Sequence, residues 1–259
     1  GLIMAMLVGI VILGGIKRIA QTAEKIVPLM CGIYLLAALF ILAANMSAVP
    51  GAVMAIIGGA FAPNALYGGI IGVLVVGFQR AAFSNEAGIG SAAIAHAAAK
   101  TAYPVREGIV ALLEPFIDTI VVCTMTGLVI MLTGVLESGV SGASLTASAF
   151  GSALPGGELV VTLGVVLFAT TTMIGWSFYG ERCVVYLFGT KGILPFRILW
   201  VLAIPIGAGT DLGLIWLVAD TLNAFMAIPN LIALLLLSPV VFQLSRSYFS
   251  RRSAPVESS

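Results

Sequence analysis

The sequence predicts an all-α protein that crosses a membrane many times, and three observations support this fold class. Hydrophobic residues make up 60% of the 259 residues and charged residues only 9%, against about 25% charged residues in an ordinary soluble domain. The mean hydropathy is +1.15. Long apolar runs recur along the chain, several of them near the roughly 20 residues that a membrane-spanning helix needs. The net charge of +1 and the lack of a basic cluster give no indication of nucleic-acid binding.

The apolar runs define the predicted membrane passages in chain order. They cover residues 1–15, 26–44, 68–99, 108–134, 158–187, 194–208 and 212–245. The last run is long enough for two helices around Pro229, and two alternatives stay open: a bent first part, or one kinked passage. Because residue 1 already lies in an apolar run, we expect the chain to be the C-terminal part of a longer protein. Its membrane domain would cover residues 1–245, followed by a tail over 246–259.

The basic residues are distributed asymmetrically over the predicted passages. With alternating crossings, eleven of the twelve Lys and Arg residues fall on one side of the membrane. These eleven are Lys17, Arg18, Lys25, Lys100, Arg106, Arg182, Lys191, Arg197, Arg246, Arg251 and Arg252. Loops of multi-pass proteins that face the cytoplasm carry an excess of Lys and Arg. We therefore predict that this side, with the C-terminal tail, is cytoplasmic.

The run 68–99 carries polar residues at a depth where they are costly. They are Gln79, Arg80, Ser84, Asn85 and Glu86, followed by Gly88 and Gly90. A charged side chain at the bilayer centre costs about 2.5–3.5 kcal/mol on insertion scales, and irregular backbone is tolerated there only inside protein or along a wet cavity. We predict that the helix is broken between Phe83 and Gly90 and that Ser91 caps a second half-helix extending to Ala99.

The gap in a broken membrane helix exposes groups that can bind a solute. Free amides at the start of the second half-helix suit a carboxylate, and carbonyls released from the first half suit a cation. An amino acid together with a sodium ion requires both. The alternative is a structural kink in which Arg80 and Glu86 form a buried ion pair.

Two further runs carry polar residues at matching depth. In 158–187, Thr170, Thr171 and Thr172 offer neutral oxygen ligands for a monovalent cation, and Trp176 follows one turn later. The alternative is that these hydroxyls bond to their own helix carbonyls.

In 108–134, Glu114 and Asp118 stand four residues apart on one face. We favour structural ion pairs with Arg80 or Arg106 over a proton relay. His96 is expected to pack or hydrogen-bond rather than to carry a proton.

Four long segments carry a resemblance to a known family. They read FSNEAGIGSAAIAHAAAKT (83–101), ALLEPFIDTIVVCT (111–124), FATTTMIGWSFYGERCVVYLFG (168–189) and LVADTLNAFMAIPNLIALLLLS (217–238). In these segments the chain resembles the alanine or glycine:cation symporters, also called sodium:alanine symporters. It departs from the family pattern at Ala93, where Pro is usual, and at Ala81, where Gly is more common.

The resemblance implies a leucine-transporter-like inverted-repeat fold, of which this chain holds the second repeat and the last one or two helices of the first. It implies sodium-coupled symport of alanine or glycine by alternating access in a bacterial inner membrane, with Na⁺ as coupling ion and no cofactor. The partners implied are the amino acid, Na⁺, the lipid bilayer and the missing N-terminal repeat. The expected substrate-binding residues are Phe83, Ser84, Asn85, Thr172 and Trp176; Thr171 and Thr172 would bind sodium; Gln79, Arg80, Glu86 and Asp118 would form a supporting polar network.

Two alternatives to this function stay open. The same fold could couple to protons or carry another small amino acid, because Glu86, His96 and Asp118 lie in or near the predicted site. An intramembrane enzyme or a channel is less favoured, since the sequence contains no HExxH motif, no Ser/Lys or paired-Asp catalytic group and no repeated filter motif. The three cysteines are far apart and lack metal-ligand spacing, so no metal site beyond the monovalent cation is expected.

Overall fold

The computed structural model describes residues 1–60 and 70–252, and every regular element within these two ranges is a helix. The predicted all-α class is therefore confirmed. Within residues 1–60 and 70–252, five helices are long and apolar enough to cross a membrane. Many of their large apolar side chains are exposed, such as Leu235 at 76% and Leu236 at 75%. Contiguous exposed apolar surface of this kind marks contact with lipid or protein rather than with water.

The helices follow one another with short connections. Their bounds are α1 Leu2–Ile12, α2 Ile16–Ala44, α3 Val49–Ala60, α4 Ile70–Ser84, α5 Ser91–His96, α6 Pro104–Thr133, α7 Ala143–Ala153, α8 Gly157–Phe188, α9 Ile193–Ala208 and α10 Leu212–Arg252. Two 3-10 turns, Val135–Ser138 and Thr190–Gly192, precede α7 and α9. Helix α6 contains a π-helical stretch, Phe116–Cys123, between α-helical ends.

The chain forms two compact units. The first comprises Gly1–Leu74 and Val121–Asp211, and the second comprises Val75–Ile120 and Leu212–Ser259. The predicted division into a membrane domain over 1–245 and a tail over 246–259 stays a prediction. Residues 246–252 continue helix α10, and residues 253–259 lie outside the described ranges.

The core of the first unit lies between α2, the end of α6, α7 and α8. Tyr34, Ile41, Val129, Phe150 and Val161 are all buried there. The Tyr34 and Phe150 rings pack at 5.1 Å between centroids. A second apolar cluster of the same unit joins α1 to the middle of α8.

Helix α10 covers the last apolar run of the sequence. It runs without interruption from Leu212 to Arg252 and contains Pro229 and Pro239 inside its length. Its 41 residues extend about 61 Å at 1.5 Å per residue, about twice the thickness of a bilayer's hydrocarbon core. The run 212–245 is therefore one continuous helix, and the bent first part and the single kinked passage both stay predictions.

Candidate functional site

The predicted break in the membrane helix is present. Helix α4 ends at Ser84 and α5 begins at Ser91. Between them Glu86, Gly88 and Gly90 have φ values of 55°, 87° and 97°. Positive φ is easy for glycine but uncommon for other residues. A left-handed Glu86 costs of order 1–3 kcal/mol and persists only where its surroundings hold it.

Ser91 and Glu86 hold each other across the break. The Ser91 hydroxyl donates to Glu86 Oε2 at 2.5 Å, and Ser91 is fully buried. The prediction that Ser91 caps the second half-helix is wrong, because Gly90 is the N-cap residue and makes no side-chain cap bond. The half-helix is also shorter than predicted, since it ends at His96 rather than Ala99.

The polar end of α4 is bonded to the π-helical stretch of α6. Ser84 donates to Asp118 Oδ2 at 2.7 Å, and Asn85 Nδ2 donates to Thr119 Oγ1 at 2.9 Å. Asn85 Oδ1 also accepts the N–H of Ala87 at 3.0 Å. A π-helical stretch in an α-helix is rare and frequent at functional sites. Pro115, which has no N–H to donate, lies directly before this one.

Arg80 finds its carboxylate partner on α10. Its guanidinium lies 2.6 Å from Asp220 Oδ2 and 4.0 Å from the centroid of the Trp216 ring. The Phe83 ring packs on the same tryptophan at 5.2 Å. The ion pairs weighed from the sequence, Arg80 with Glu86 or with Asp118, are not formed among the residues that the structure describes. Trp216 and Asp220 therefore belong to the surroundings of the broken helix.

Asn230 is a further site residue that sequence analysis did not identify. Its Nδ2 donates to the carbonyl oxygen of Gly88 at 2.9 Å, so α10 satisfies one backbone group that the break leaves open. A Cβ at position 90 would lie 3.2 Å from Asn230. The available signal was an amide side chain within the long apolar run of α10, next to Pro229.

A cavity of about 260 Å³ lies between α4 and α10 beside the break. Gln79, Asp220 and Asn223 supply its polar groups, and Phe78 and Ile89 part of its apolar wall. Neither Gln79 nor Asn223 makes a side-chain hydrogen bond with any residue that the structure describes. The cavity therefore has donors and acceptors that a small polar solute could use.

His96 lies at the end of α5 and bridges to α6. Its Nδ1 lies 2.6 Å from Glu107 Oε1, and its Nε2 lies 3.7 Å from Glu114 Oε2. His96 thus hydrogen-bonds to a neighbouring helix, which is the role expected from the sequence. Glu114 has this histidine as its ion-pair partner and pairs with neither Arg80 nor Arg106 within the described ranges.

The remaining predicted site residues lie on α8, in the first unit. Thr170 donates to Val166 O at 2.7 Å, and Thr171 donates to the carbonyls of Leu167 and Phe168, both at 3.0 Å. Thr172 is exposed and makes no side-chain hydrogen bond with any residue that the structure describes. The Trp176 ring packs edge-on against Tyr179 at 5.8 Å.

These α8 residues belong to one unit, whereas Phe83, Ser84 and Asn85 belong to the other. That the two groups line one substrate pocket stays a prediction.

Comparison with known proteins identifies relatives along nearly the whole chain. It is 49% identical over 253 residues to the sodium/alanine symporter AgcS of Methanococcus maripaludis, covering 96% of this chain and 56% of the relative. It is 45% identical over 258 residues to an uncharacterized transporter of Haemophilus influenzae, covering 96% and 57%. It is 36% identical over 260 residues to the probable sodium/glutamine symporter GlnT of Bacillus subtilis, covering 98% and 54%.

The chain thus spans just over half the length of the curated relatives that it matches. The family model described as the sodium:alanine symporter family matches residues 1–258. That family consists of transporters and not of enzymes, and the apolar helices agree with a multi-pass membrane protein. The chain belongs to the sodium:alanine symporter family.

Proposed function

We propose that the protein to which this chain belongs carries a small neutral amino acid, alanine or glycine, together with Na⁺ by alternating access. Membership of the sodium:alanine symporter family supports cation-coupled amino-acid transport. The relative named as a sodium/alanine symporter, 49% identical, supports alanine and sodium as substrate and coupling ion. Because the chain spans about half of its relatives, the activity is proposed for the whole protein.

The broken helix α4–α5 is the observation that carries this proposal. Six residues, 85–90, lie outside helix between two half-helices of an apolar segment. Non-helical backbone at membrane depth is tolerated where it lines a cavity, and discontinuous helices form the substrate and ion sites of many secondary transporters. The bonds from Ser84 and Asn85 to α6 and from Asn230 to Gly88 hold this backbone in place.

The proposed substrate-binding residues are Phe83, Ser84, Asn85, Thr172 and Trp176. The hydroxyl of Thr172 has no side-chain hydrogen bond among described residues and is free to contact a solute. Two aromatic rings, Phe83 and Trp176, would limit the size of the substrate side chain. Asp118 already accepts from Ser84 at 2.7 Å, which orients the Ser84 hydroxyl.

Thr171 and Thr172 are the proposed sodium ligands. Thr171 donates its hydroxyl proton to carbonyls one turn earlier, so the two lone pairs of its oxygen remain able to face a cation. Neutral oxygens of this kind are the ligands preferred by hard cations. Na⁺ and the amino acid would each bind the occluded conformation better than the open ones, and this differential affinity couples their movements.

The proposed architecture is the leucine-transporter-like inverted repeat, with the C-terminus in the cytoplasm of a bacterial-type inner membrane. Eleven of twelve basic residues on one predicted side support this orientation. A second candidate retains the fold but changes the solute or ion. The relative named as a probable sodium/glutamine symporter, 36% identical, favours testing glutamine, and the His96–Glu107 contact favours testing protons.

Uptake by the full-length protein in proteoliposomes tests this function. With a sodium gradient and no proton gradient, we expect saturable uptake of labelled alanine, competed by glycine more strongly than by glutamine. Uptake that follows a proton gradient and ignores sodium would favour the second candidate. No carrier-mediated uptake of any small amino acid under either gradient would refute symport.

Trp176 tests the pocket within the same assay. Trp176→Ala should weaken alanine uptake and admit larger side chains, because it removes one wall of the proposed pocket. Tyr186→Ala is the matched control, since Tyr186 lies on the same helix and is 89% exposed. If both variants keep the selectivity of the parent protein, Trp176 does not line the site.

A further inference from the structure

The ends of two apolar helices in the second unit form a groove with an apolar floor. The groove has a volume of about 490 Å³. Its lining includes Pro104, Gly108 and Leu112 from α6 and Val241, Leu244 and Phe249 from α10. These residues lie within the first nine positions of one candidate membrane span and the last ten of another. The groove therefore lies where two predicted spans reach the edge of the membrane.

Aromatic and basic residues stand at the mouth of this groove. The Tyr103 and Tyr248 rings are 5.7 Å apart, and tyrosine is enriched where membrane helices meet the interface. The Arg106 guanidinium lies 5.1 Å from the Tyr103 ring centroid, and its Nε donates to Tyr248 Oη at 3.4 Å. The mouth thus combines a pair of tyrosines with an arginine that contacts both of them.

The cation at this mouth, Arg106, has no carboxylate partner among the described residues. Within the same ranges it makes the two contacts with Tyr103 and Tyr248 just given, and the neighbouring Glu107 pairs with His96. Arg246 lines a separate depression with Gln243 and Ser247 and is not part of this groove. The Arg106 guanidinium is therefore available to an anion.

We propose that this groove is a binding site for an anionic phospholipid. The acyl chain would lie along the apolar floor between α6 and α10, and the head-group phosphate would accept hydrogen bonds from Arg106. Arginine is suited to phosphate because its planar fork can donate two parallel hydrogen bonds. Basic residues beside membrane helices on the cytoplasmic side attract anionic head groups, and the positive-inside pattern predicts that Arg106 lies on that side.

Native mass spectrometry of the full-length protein tests the site with two defined lipids, phosphatidylglycerol and phosphatidylcholine, that have identical acyl chains. We expect preferential retention of phosphatidylglycerol. Arg106→Gln should weaken that binding about five-fold, the equivalent of about 1 kcal/mol per basic residue near an anionic surface. Phosphatidylcholine binding should not change. Lys191→Gln is the charge-matched control, because Lys191 is exposed and lies on the same predicted side in the other unit.

A second variant tests the groove itself without altering charge. A Cβ at Gly108 meets nothing within 4 Å, so Gly108→Leu should fold and fill part of the groove. We expect it to weaken phosphatidylglycerol binding while leaving Arg106 in place. Millimolar inorganic phosphate should not displace the lipid; complete displacement would show that only the head group is recognised.

A photoreactive residue in place of Ile109 identifies the occupant directly, since Ile109 lines the groove. Cross-linking to lipid supports the site. Cross-linking to another segment of the same polypeptide would overturn it. Equal retention of the two lipids by the parent protein and by the Arg106→Gln variant would overturn it as well. Uptake of alanine is measured separately from lipid retention. A variant that loses the lipid preference but keeps normal uptake supports the transport function and shows that the bound lipid is not needed for it.

Discussion

Replacing Gly90 with alanine tests whether the broken helix depends on backbone that only glycine adopts easily. Gly90 has φ 97° and ψ −10°, and left-handed backbone costs an L-residue roughly 1–2 kcal/mol. The added Cβ would lie 3.2 Å from Cγ and Oδ1 of Asn230. Asn230 cannot retreat freely because it donates to Gly88 O at 2.9 Å, a bond with a net value of about 1 kcal/mol. We expect Gly90→Ala to lower the free energy of unfolding by about 2–3 kcal/mol.

Equilibrium unfolding in mixed detergent micelles measures this loss, and Gly77→Ala is the matched control. Gly77 lies inside α4, where an added Cβ meets nothing within 4 Å. Alanine there favours helix by up to about 1 kcal/mol, so the control should be as stable as the parent protein or more stable. In an Asn230→Ala background, Gly90→Ala should cost only the backbone part, about 1–2 kcal/mol. If Gly90→Ala proves as stable as Gly77→Ala, the break does not depend on left-handed glycine and the reasoning fails.

Two further experiments test contacts, one in each unit. A double-mutant cycle with Arg80→Gln and Asp220→Asn should give a coupling of about 0.5–3 kcal/mol in the free energy of unfolding, because the 2.6 Å ion pair is only partly exposed. Additive effects of the two substitutions in the unfolding assay would show that the pair contributes nothing to stability. Phe150→Ala should destabilise the first unit by about 3–5 kcal/mol, since that side chain is fully buried, whereas Phe242→Ala, at a 76% exposed position, should change unfolding little. Equal effects of the two phenylalanine variants in the same assay would contradict the assigned core.

The sequence predicted the membrane helices and the break because both depend on local properties. A long apolar run must be helical in lipid, where each backbone group needs an internal partner. Polar side chains together with Gly88 and Gly90 marked the place where such a run cannot remain regular. The helix ends at Ser84 and Ser91 agree with that expectation.

The partners of the polar residues could not be predicted from local properties. Arg80 pairs with a residue 140 positions away, and Gly88 accepts from Asn230, which is 142 positions away. Sequence analysis therefore paired Arg80 with nearer carboxylates. It also assigned Ser91 to a cap, although its hydroxyl is used to hold Glu86.

The sequence by itself determined the class of the protein, the position of its helices and the place where one helix is interrupted. These follow from hydropathy, from glycine and from the cost of polar groups in lipid, all of which act over a few neighbouring residues. Only the tertiary structure decided what stabilises the interruption: the π-helical stretch of α6 that receives Ser84 and Asn85, and the amide of Asn230 on α10. The reason is physical, because a buried hydrogen bond joins whichever groups the fold brings within about 3 Å, however far apart they are in the chain.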